Sequence, residues 1–189
     1  NPGIIIDIGA NVGFFSKLCR DLFPKSKVFS FEPIPKIFQC LKNNFKDDIN
    51  TKVFNLAISD FNGEAKMSFN EQDSAISQIT DKGSVGVNVR RLDNVVRENN
   101  IDCIDILKID TETFEAHVLR GGSDSLSKTK YANILIVPSE TYLAKKGSSK
   151  APSLNLNNTL PSSVIFESTS QIPGTLCLSL FNILLKTMG

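Results

Sequence analysis

The sequence predicts an α/β fold, a mostly parallel sheet covered by helices on both faces. Three features lead there. Apolar runs at Ile4–Ile8, 28–31 and Ile104–Ile109 fit strands buried on both sides. Between such runs lie segments whose apolar residues recur every third or fourth position, the period of a helix packed by one face. The turn after the first run carries Gly9 and Gly13, and the second and third runs end on Glu32 and Asp110. Ligands of open α/β sheets sit at that edge.

The elements follow in order. After the first strand the period lengthens: Phe14, Leu18 and Leu22 recur every fourth residue beside Phe15 and Cys19, so a helix follows and stops near Pro24. The strand at 28–31 leads to a second helix marked by Ile34, Ile37, Phe38, Leu41 and Phe45. Pro35 stands in its first turn, where a missing N–H costs little. A third strand is expected at 53–58, with Asn62-Gly63 as a tight turn after it. Residues 64–69 alternate polar and apolar, as a half-exposed antiparallel strand does. The polar stretch 70–83 reads as a loop, and Val85, Val87 and Val89 alternate again. Arg91-Leu92-Asp93 leads into a short helix through Val95 and Val96. After the strand Ile104–Ile109, a helix carries Phe114, Val118 and Leu119 on one side, with Gly121-Gly122 as its stop. The last patterned strand is 132–137.

Beyond Lys146 the character changes. Residues 147–152 are linker-like, and the rest is rich in Ser, Asn, Thr and Pro; only 164–166 and 176–185 have the composition of an element. The expected organisation is one domain over 1–146 and an unassigned tail over 147–189, either a poorly ordered appendage or the product of an altered reading frame. At the other end, Asn1-Pro2 stands directly before a strand without an initiator Met, as expected of a piece whose natural start lies upstream.

Composition excludes several classes. The 189 residues suffice for a core, and 41% apolar with 22% charged residues is ordinary for a soluble protein. A net charge of +1 gives no electrostatic case for nucleic acid or an anionic membrane. The apolar run at 176–185 is too short and too interrupted to span a bilayer. Cys19, Cys40, Cys103 and Cys177 form no CxxC pair, which argues against zinc or a disulfide framework and for free thiols in a reducing, cytoplasmic compartment. Oligomeric state leaves no trace in the sequence.

The first chemistry-bearing motif is Asp7-x-Gly9-x-Asn11-x-Gly13. A strand-to-helix turn there brings backbone close to a ligand, and side chains at Gly9 and Gly13 would obstruct the approach. The next helix presents unpaired N–H groups, and Asp7 could orient an ammonium group. The plainer alternative is a turn with no ligand. A dinucleotide site wants glycine where Asn11 stands, which disfavours NAD and FAD and favours a nucleoside without phosphates. Glu32 ends the second strand where ribose hydroxyls would lie, and a carboxylate accepting two vicinal hydroxyls is a strong arrangement. Its plainer role is to cap the next helix.

The third feature, Asp110-Thr111-Glu112-Thr113-Phe114-Glu115, crowds three carboxylates onto the end of a buried strand and the start of a helix. Glu112 and Glu115 also suit a helix's first turn electrostatically. Asp110, ending an apolar strand, must be solvated or functional. Lys108 reads as structural, on the face opposite Asp110. His117, the single histidine, reads as an ordinary helix residue, and no metal is expected. Arg90-Arg91 read as a solvated strand end. Glu140, after the last strand, is within reach of the same edge.

The succession IDIGANVGFFS, FEPIPKIFQCLKNN, NLAISDFNGEAKMSF, VRRLDNVV and IDILKIDTETFEAHVLRGG resembles the FkbM family of S-adenosylmethionine-dependent methyltransferases over residues 4–140. The resemblance implies a seven-stranded class I methyltransferase sheet, Rossmann-like, and O-methylation as the activity. It implies that Asp7, Gly9, Asn11 and Gly13 line the methionine part of the cofactor, that Glu32 holds the ribose, and that Ala57 passes near adenine. Asp110 and Glu112 would face the transferred methyl. The family usually reads Asp-x-Glu-Gly at the third motif, and this chain has Thr113 at the glycine, where a β-branched residue is costly if φ is positive. Beyond Glu140 the family's usual ending is not recognisable.

The expected function is therefore methyl transfer from S-adenosylmethionine to a hydroxyl of a small molecule, sugar or lipid. The sulfonium methyl is already electrophilic, so the protein has to align an oxygen, exclude water and take a proton. Asp110 is the candidate base and Glu112 the second, with Glu115 and Glu140 on the substrate side. Two rival classes stand beside it. One is a catalytically impaired binding or interaction module on the same fold, motivated by Thr113 and the tail. The other is a nicotinamide-dependent oxidoreductase, against which Asn11 speaks.

Overall fold

The computed structural model describes residues 1–69, 78–79, 83–112, 114–136 and 163–168. The first half-unit runs β1 (Ile4–Ile8), α1 (Phe14–Leu22), β2 (Lys27–Phe31), α2 (Pro35–Asn44) and β3 (Thr51–Phe54). A smaller set follows: β4 (Ala57–Ser59), β5 (Gly63–Ser68), β6 (Gln78–Ile79) and β7 (Val85–Arg91). The chain then returns through α3 (Leu92–Glu98), β8 (Ile104–Ile109), α4 (Glu115–Gly121), α5 (Ser123–Ser127) and β9 (Thr129–Ile136), and β10 (Ser163–Ser168) completes the described elements.

The main sheet has the order β10-β9-β8-β1-β2-β3, and every neighbouring pair is parallel. From β1 the chain winds outward one way to β3 and later the other way from β8, so the strand order reverses between β1 and β8. A crevice opens at such a reversal, beyond the carboxyl ends of the strands. The second sheet, ordered β4-β7-β5-β6, pairs β5 antiparallel with both β7 and β6.

The pleat divides the core. Ile5, Val28 and Ile106 face α1 and pack on Phe15, Cys19 and Phe23. Ile6, Ile8, Phe29, Phe31, Leu107 and Ile109 face the other way, onto Leu92, Val95, Val118, Leu119 and Leu126 of α3, α4 and α5. Helices therefore cover both faces, which is why these strands read as unbroken apolar runs. Arg20 closes the end of α1 by donating to the carbonyls of Phe23, Pro24 and Ser26.

Several elements differ from the sequence reading. The strand expected at 53–58 is two strands in different sheets: β3 pairs with β2, and β4 pairs with β7. Asn55 makes the break, because its side-chain amide donates to the carbonyls of Glu32 and Pro33 at 2.9 and 2.8 Å and holds the chain against the end of β2. Inside the stretch read as a loop, 78–79 pairs with β5. The double glycine stops α4 as expected, with Gly122 as its C-cap, and the short α5 follows directly, which the sequence did not predict. β9 begins at Thr129, three residues before the expected 132. β10 contains 164–166, one of the two tail stretches with the composition of an element, and differs only in being longer, pairing with β9 over six residues.

The turn from β1 into α1 explains its own sequence. Gly9, Asn11 and Gly13 are all left-handed, with φ of 75°, 51° and 93°. The spacing Gly-x-Asn-x-Gly is thus an alternation of left-handed positions, held by glycine twice and once by asparagine, the residue that best tolerates the region. The space at the glycines is taken by protein. A Cβ on Gly9 would stand 1.8 Å from the carbonyl oxygen of Asp110, and one on Gly13 would stand 2.5 Å from Phe45 and 2.7 Å from Leu41 of α2. Packing alone therefore demands both glycines, through the chain just beyond β8 at Gly9 and through Leu41 and Phe45 at Gly13, whatever a ligand adds.

Gly9→Ala is accordingly expected to lower the unfolding free energy by about 2–5 kcal/mol, the joint cost of overpacking and a left-handed residue bearing a Cβ. Asn11→Ala should cost only about 1–2 kcal/mol, since no clash is added. Urea denaturation followed by circular dichroism compares them, and equal losses would contradict the close approach at Gly9.

Candidate active site

The crevice at the carboxyl edge is a cleft of about 220 Å³. Gly9 and Asn11 from the turn, Glu32 from the end of β2, Ala57 of β4, and Asp110 and Glu112 beyond β8 all line it. An apolar wall completes it, from Ile37 of α2, Leu56, Ile58, Met67 of β5, Ile79 of β6 and Phe114. The second sheet thus supplies one side of the cleft.

Glu32 is 5% exposed. Its Oε2 accepts the N–H of Asn11 at 3.0 Å and its Oε1 the N–H of Ile34 at 2.9 Å. One carboxylate thereby ties the left-handed turn to the entry of α2. Burial pushes its pKa up to about 7, and the two backbone N–H groups, with the Lys108 charge, offset only part of that rise.

Beneath the turn lies a buried polar layer. Ser30, Asp7 and Lys108 are lateral partners on β2, β1 and β8, one residue pair beyond the apolar set Val28, Ile5 and Ile106 on the same face. Ser16 of α1 donates to Asp7 Oδ2 at 2.6 Å and shares a hydrogen bond with Ser30 at 2.7 Å. Asp7 Oδ1 lies 3.1 Å from the Lys108 ammonium. That ammonium donates to the Gly9 carbonyl at 2.7 Å and lies 3.6 Å from Asp110 Oδ2. The reading of Lys108 on the face opposite Asp110 is therefore corrected. The two are two residues apart, so the pleat puts them on the same side.

Asp110 itself extends the sheet by one bond, its N–H donating to the Ile8 carbonyl at 3.0 Å. Two residues on, Glu112 is left-handed with φ of 51°. A long side chain held there costs about 1–3 kcal/mol, and such costs cluster at working sites.

Residues 7–171 match the model of the methyltransferase FkbM domain. This chain belongs to that family. It is similar to the 2-O-methyltransferase NoeI of Sinorhizobium fredii, 28% identical over 189 residues that cover 90% of this chain and 74% of the relative. It is also similar to the 31-O-demethyl-FK506 methyltransferase FkbM of Streptomyces tacrolimicus, 28% identical over 159 residues, 66% of this chain and 61% of that one. A third relative is the hexuronic acid methyltransferase AglP of Haloferax volcanii, 25% identical over 136 residues, 70% of this chain and 55% of that one. The chain thus spans about three fifths or less of the length of two of these relatives.

Within this FkbM-type domain, the α/β sheet is the class I methyltransferase-like architecture. Its cleft gathers Gly9, Asn11, Glu32, Ala57, Asp110 and Glu112, six of the residues singled out from the sequence. Asp7 and Gly13 lie behind the lining: Asp7 is fully buried against Ser16 and Lys108, and Gly13 is packed on α2. Glu115 is turned from the cleft as well. It is 4% exposed, and its Oε1 accepts the N–H and the hydroxyl of Thr111 at 3.0 and 3.1 Å, closing the turn before α4. Burial raises its pKa. Thr113 and Glu140 fall outside the described residues.

The FkbM-type domain also has parts that sequence reasoning missed. Ser16 and Ser30 sit at apolar positions of α1 and β2, and a serine at a core position is the signal that could have found them. Met67 and Ile79 reach the cleft only because the second sheet folds over it. His117 lies in a surface group, with Nδ1 3.2 Å from Asp60 and 2.9 Å from Arg120, and its ring stacks on Phe114. Arg91 donates to the Asp60 carbonyl, so Arg90-Arg91 is partly tied down rather than freely solvated. Among the described residues no helix is long and apolar enough to cross a membrane.

The Glu32 geometry predicts a pH dependence. With its pKa raised from 4.5 to about 7, the folded chain binds more protons than the unfolded chain between those values. The stability that the carboxyl contributes is therefore full below pH 4.5 and lost as pH rises through 7. Relative to Glu32→Gln, the unaltered chain should lose up to roughly 3 kcal/mol between pH 4.5 and 8. Urea denaturation of both proteins at the two pH values tests it; a pH-independent difference would contradict the burial.

Proposed function

We propose that this chain transfers a methyl group from S-adenosylmethionine to a hydroxyl of a sugar, a lipid or another small molecule. The reading is carried by the convergence, in one cleft, of a buried acceptor carboxylate, an apolar wall and two further carboxylates beyond the central strand. The donor set fits the cofactor. Ribose hydroxyls donate and Glu32 accepts, and a flat purine suits the wall of Ile37, Ala57, Met67 and Ile79. Gly9 and Asn11 would border the methionine part, with Asp7 and Gly13 holding that turn from behind. When bound, the cofactor supplies a methyl on a sulfonium that is already a good electrophile.

The chain's own residues then have three tasks. The apolar wall excludes water. The cleft edge orients the acceptor oxygen. Asp110 takes the hydroxyl proton, as a base within hydrogen-bond reach of an acceptor in the cleft, with Glu112 as the second candidate. The words 2-O-, 31-O- and hexuronic acid in the relatives' names support oxygen as the atom methylated and sugars among the acceptors. The free thiols Cys19, Cys40 and Cys103 suit a cytoplasmic setting. Thr113, where the family usually has glycine, favours one second reading, a binding module that keeps the cofactor and transfers nothing.

Calorimetry of the purified chain tests the proposal. S-adenosylhomocysteine should bind and NAD should not, and Glu32→Ala should weaken that binding by about 1–3 kcal/mol. Failure to bind S-adenosylhomocysteine would defeat the reading. Asp110→Asn should lower methyl transfer about a hundredfold, while binding of S-adenosylhomocysteine persists. A panel of sugar and lipid hydroxyl acceptors, followed by release of S-adenosylhomocysteine, checks this. Binding without transfer to any acceptor would favour the binding module.

A further inference from the structure

The steps above leave Lys108 without a task, yet its ammonium joins three parts of the site. It grips the Gly9 carbonyl at 2.7 Å, faces Asp7 at 3.1 Å and faces Asp110 at 3.6 Å. The Lys108 side chain is 8% exposed and that of Asp7 is 0%, while Asp110 at 21% opens to the cleft. The cation is therefore dry on one side and borders the cleft through Asp110 on the other. Burial works against the charge, but attraction by Asp7 and then Asp110 outweighs it and holds the ammonium above the usual lysine range. Glu32 adds a further carboxylate to the same cleft, and the Lys108 charge acts on it too.

We propose that Lys108 is a positioning residue with two effects: it locks the left-handed turn through Gly9, and it offsets the Asp110 charge that faces the methyl donor. The inference rests on the methyltransferase reading above. Its logic is electrostatic. An Asp110 carboxylate left without the ammonium would attract a sulfonium cation in the ground state, and ground-state attraction of that kind does not speed the chemical step. With Lys108 in place, the carboxylate stays available for an acceptor hydroxyl. Loss of the ammonium also frees the Gly9 carbonyl, so the turn bordering the cofactor slackens.

The test compares S-adenosylmethionine, which carries the positive charge, with S-adenosylhomocysteine, which lacks it, by calorimetry on the full chain. Lys108→Gln alone would strand the buried Asp7 carboxylate and can fail to fold. The comparison is therefore made between Asp7→Asn and the double variant Asp7→Asn with Lys108→Gln, with Lys108→Arg as the charge-conserving variant. In the Asp7→Asn background, Lys108→Gln should weaken both ligands about tenfold, as expected when a hydrogen bond from a charged donor is lost. It should also shift the affinity ratio toward S-adenosylmethionine by about fivefold, the scale of one nearby charge at the edge of water. Lys108→Arg should keep the ratio of the unaltered chain. A purely structural lysine would lower the melting temperature and leave both affinities and their ratio unchanged in the folded variants, and that result overturns the inference alone. If the unaltered chain binds neither compound, the methyltransferase reading falls and the inference falls with it.

Discussion

The ion pair between Asp7 and Lys108 is the constraint on which the rest depends. Asp7 has no cation beside it but Lys108 among the described residues, whereas Lys108 also meets Asp110, and breaking a buried pair costs about 3–5 kcal/mol. Asp7 sits on β1 and Lys108 directly beside it on β8, with Ser30 on the far side in β2. A slip of one residue in either strand would turn a charge onto the apolar face beneath α3, α4 and α5. The pair therefore specifies the register of the three central strands, which apolar residues of similar size would specify weakly. Ser16 carries the same constraint into α1, because its hydroxyl must reach Asp7.

Register then places the turn. With β1 and β8 aligned, the Ile8 carbonyl accepts the N–H of Asp110, and the Gly9 carbonyl falls over the Lys108 ammonium. Backbone from two strand ends converges so closely that only glycine fits at position 9. The left-handed alternation that follows turns the Asn11 N–H toward Glu32, whose other oxygen holds Ile34. The ends of β1, β2 and β8 are in this way stitched together by groups that also border the cleft. The cleft's position is a consequence of strand order, and its polar rim is a consequence of how those ends are tied.

Much of this was legible in the sequence because buried parallel strands are continuous apolar runs and surface helices keep a 3.6-residue period. β1, α1, β2, α2, α3 and β8 follow from those two rules. The break at Asn55 was not legible, because residues 53–58 are uniformly strand-like and the amide that splits them bonds to residues more than twenty positions away. The glycines of the first motif were legible as special positions, but their packing role was not, since their neighbours Asp110 and Phe45 are distant in the chain. Lys108 was misplaced by local counting, although its two-residue spacing from Asp110 contained the answer. The two residues of β6 and the five of α5 are too short for any period to register. At the site, the strand-end acids were visible because an acid after an apolar run is conspicuous. The apolar wall of Met67 and Ile79 was not, because those residues look like any core.

The costs of the structure are concentrated at one edge. On the α1 face, the row Val28, Ile5 and Ile106 is closely packed hydrocarbon, and one step along the same strands the row becomes Ser30, Asp7 and Lys108. Beyond that row stand a carboxyl held near neutral titration at Glu32, a left-handed acid at Glu112, and a carboxyl at Asp110 that borders both ammonium and cleft. A domain selected for stability alone would continue the hydrocarbon to the strand ends, since buried ion pairs are commonly improved by apolar replacement. The amino-terminal row supplies that stability, and the carboxyl-terminal row uses it. Departures from local rules that share one edge are where a site is to be looked for. Here the departures and the cleft coincide, and the sequence motifs that first drew attention are the residues that make those departures possible.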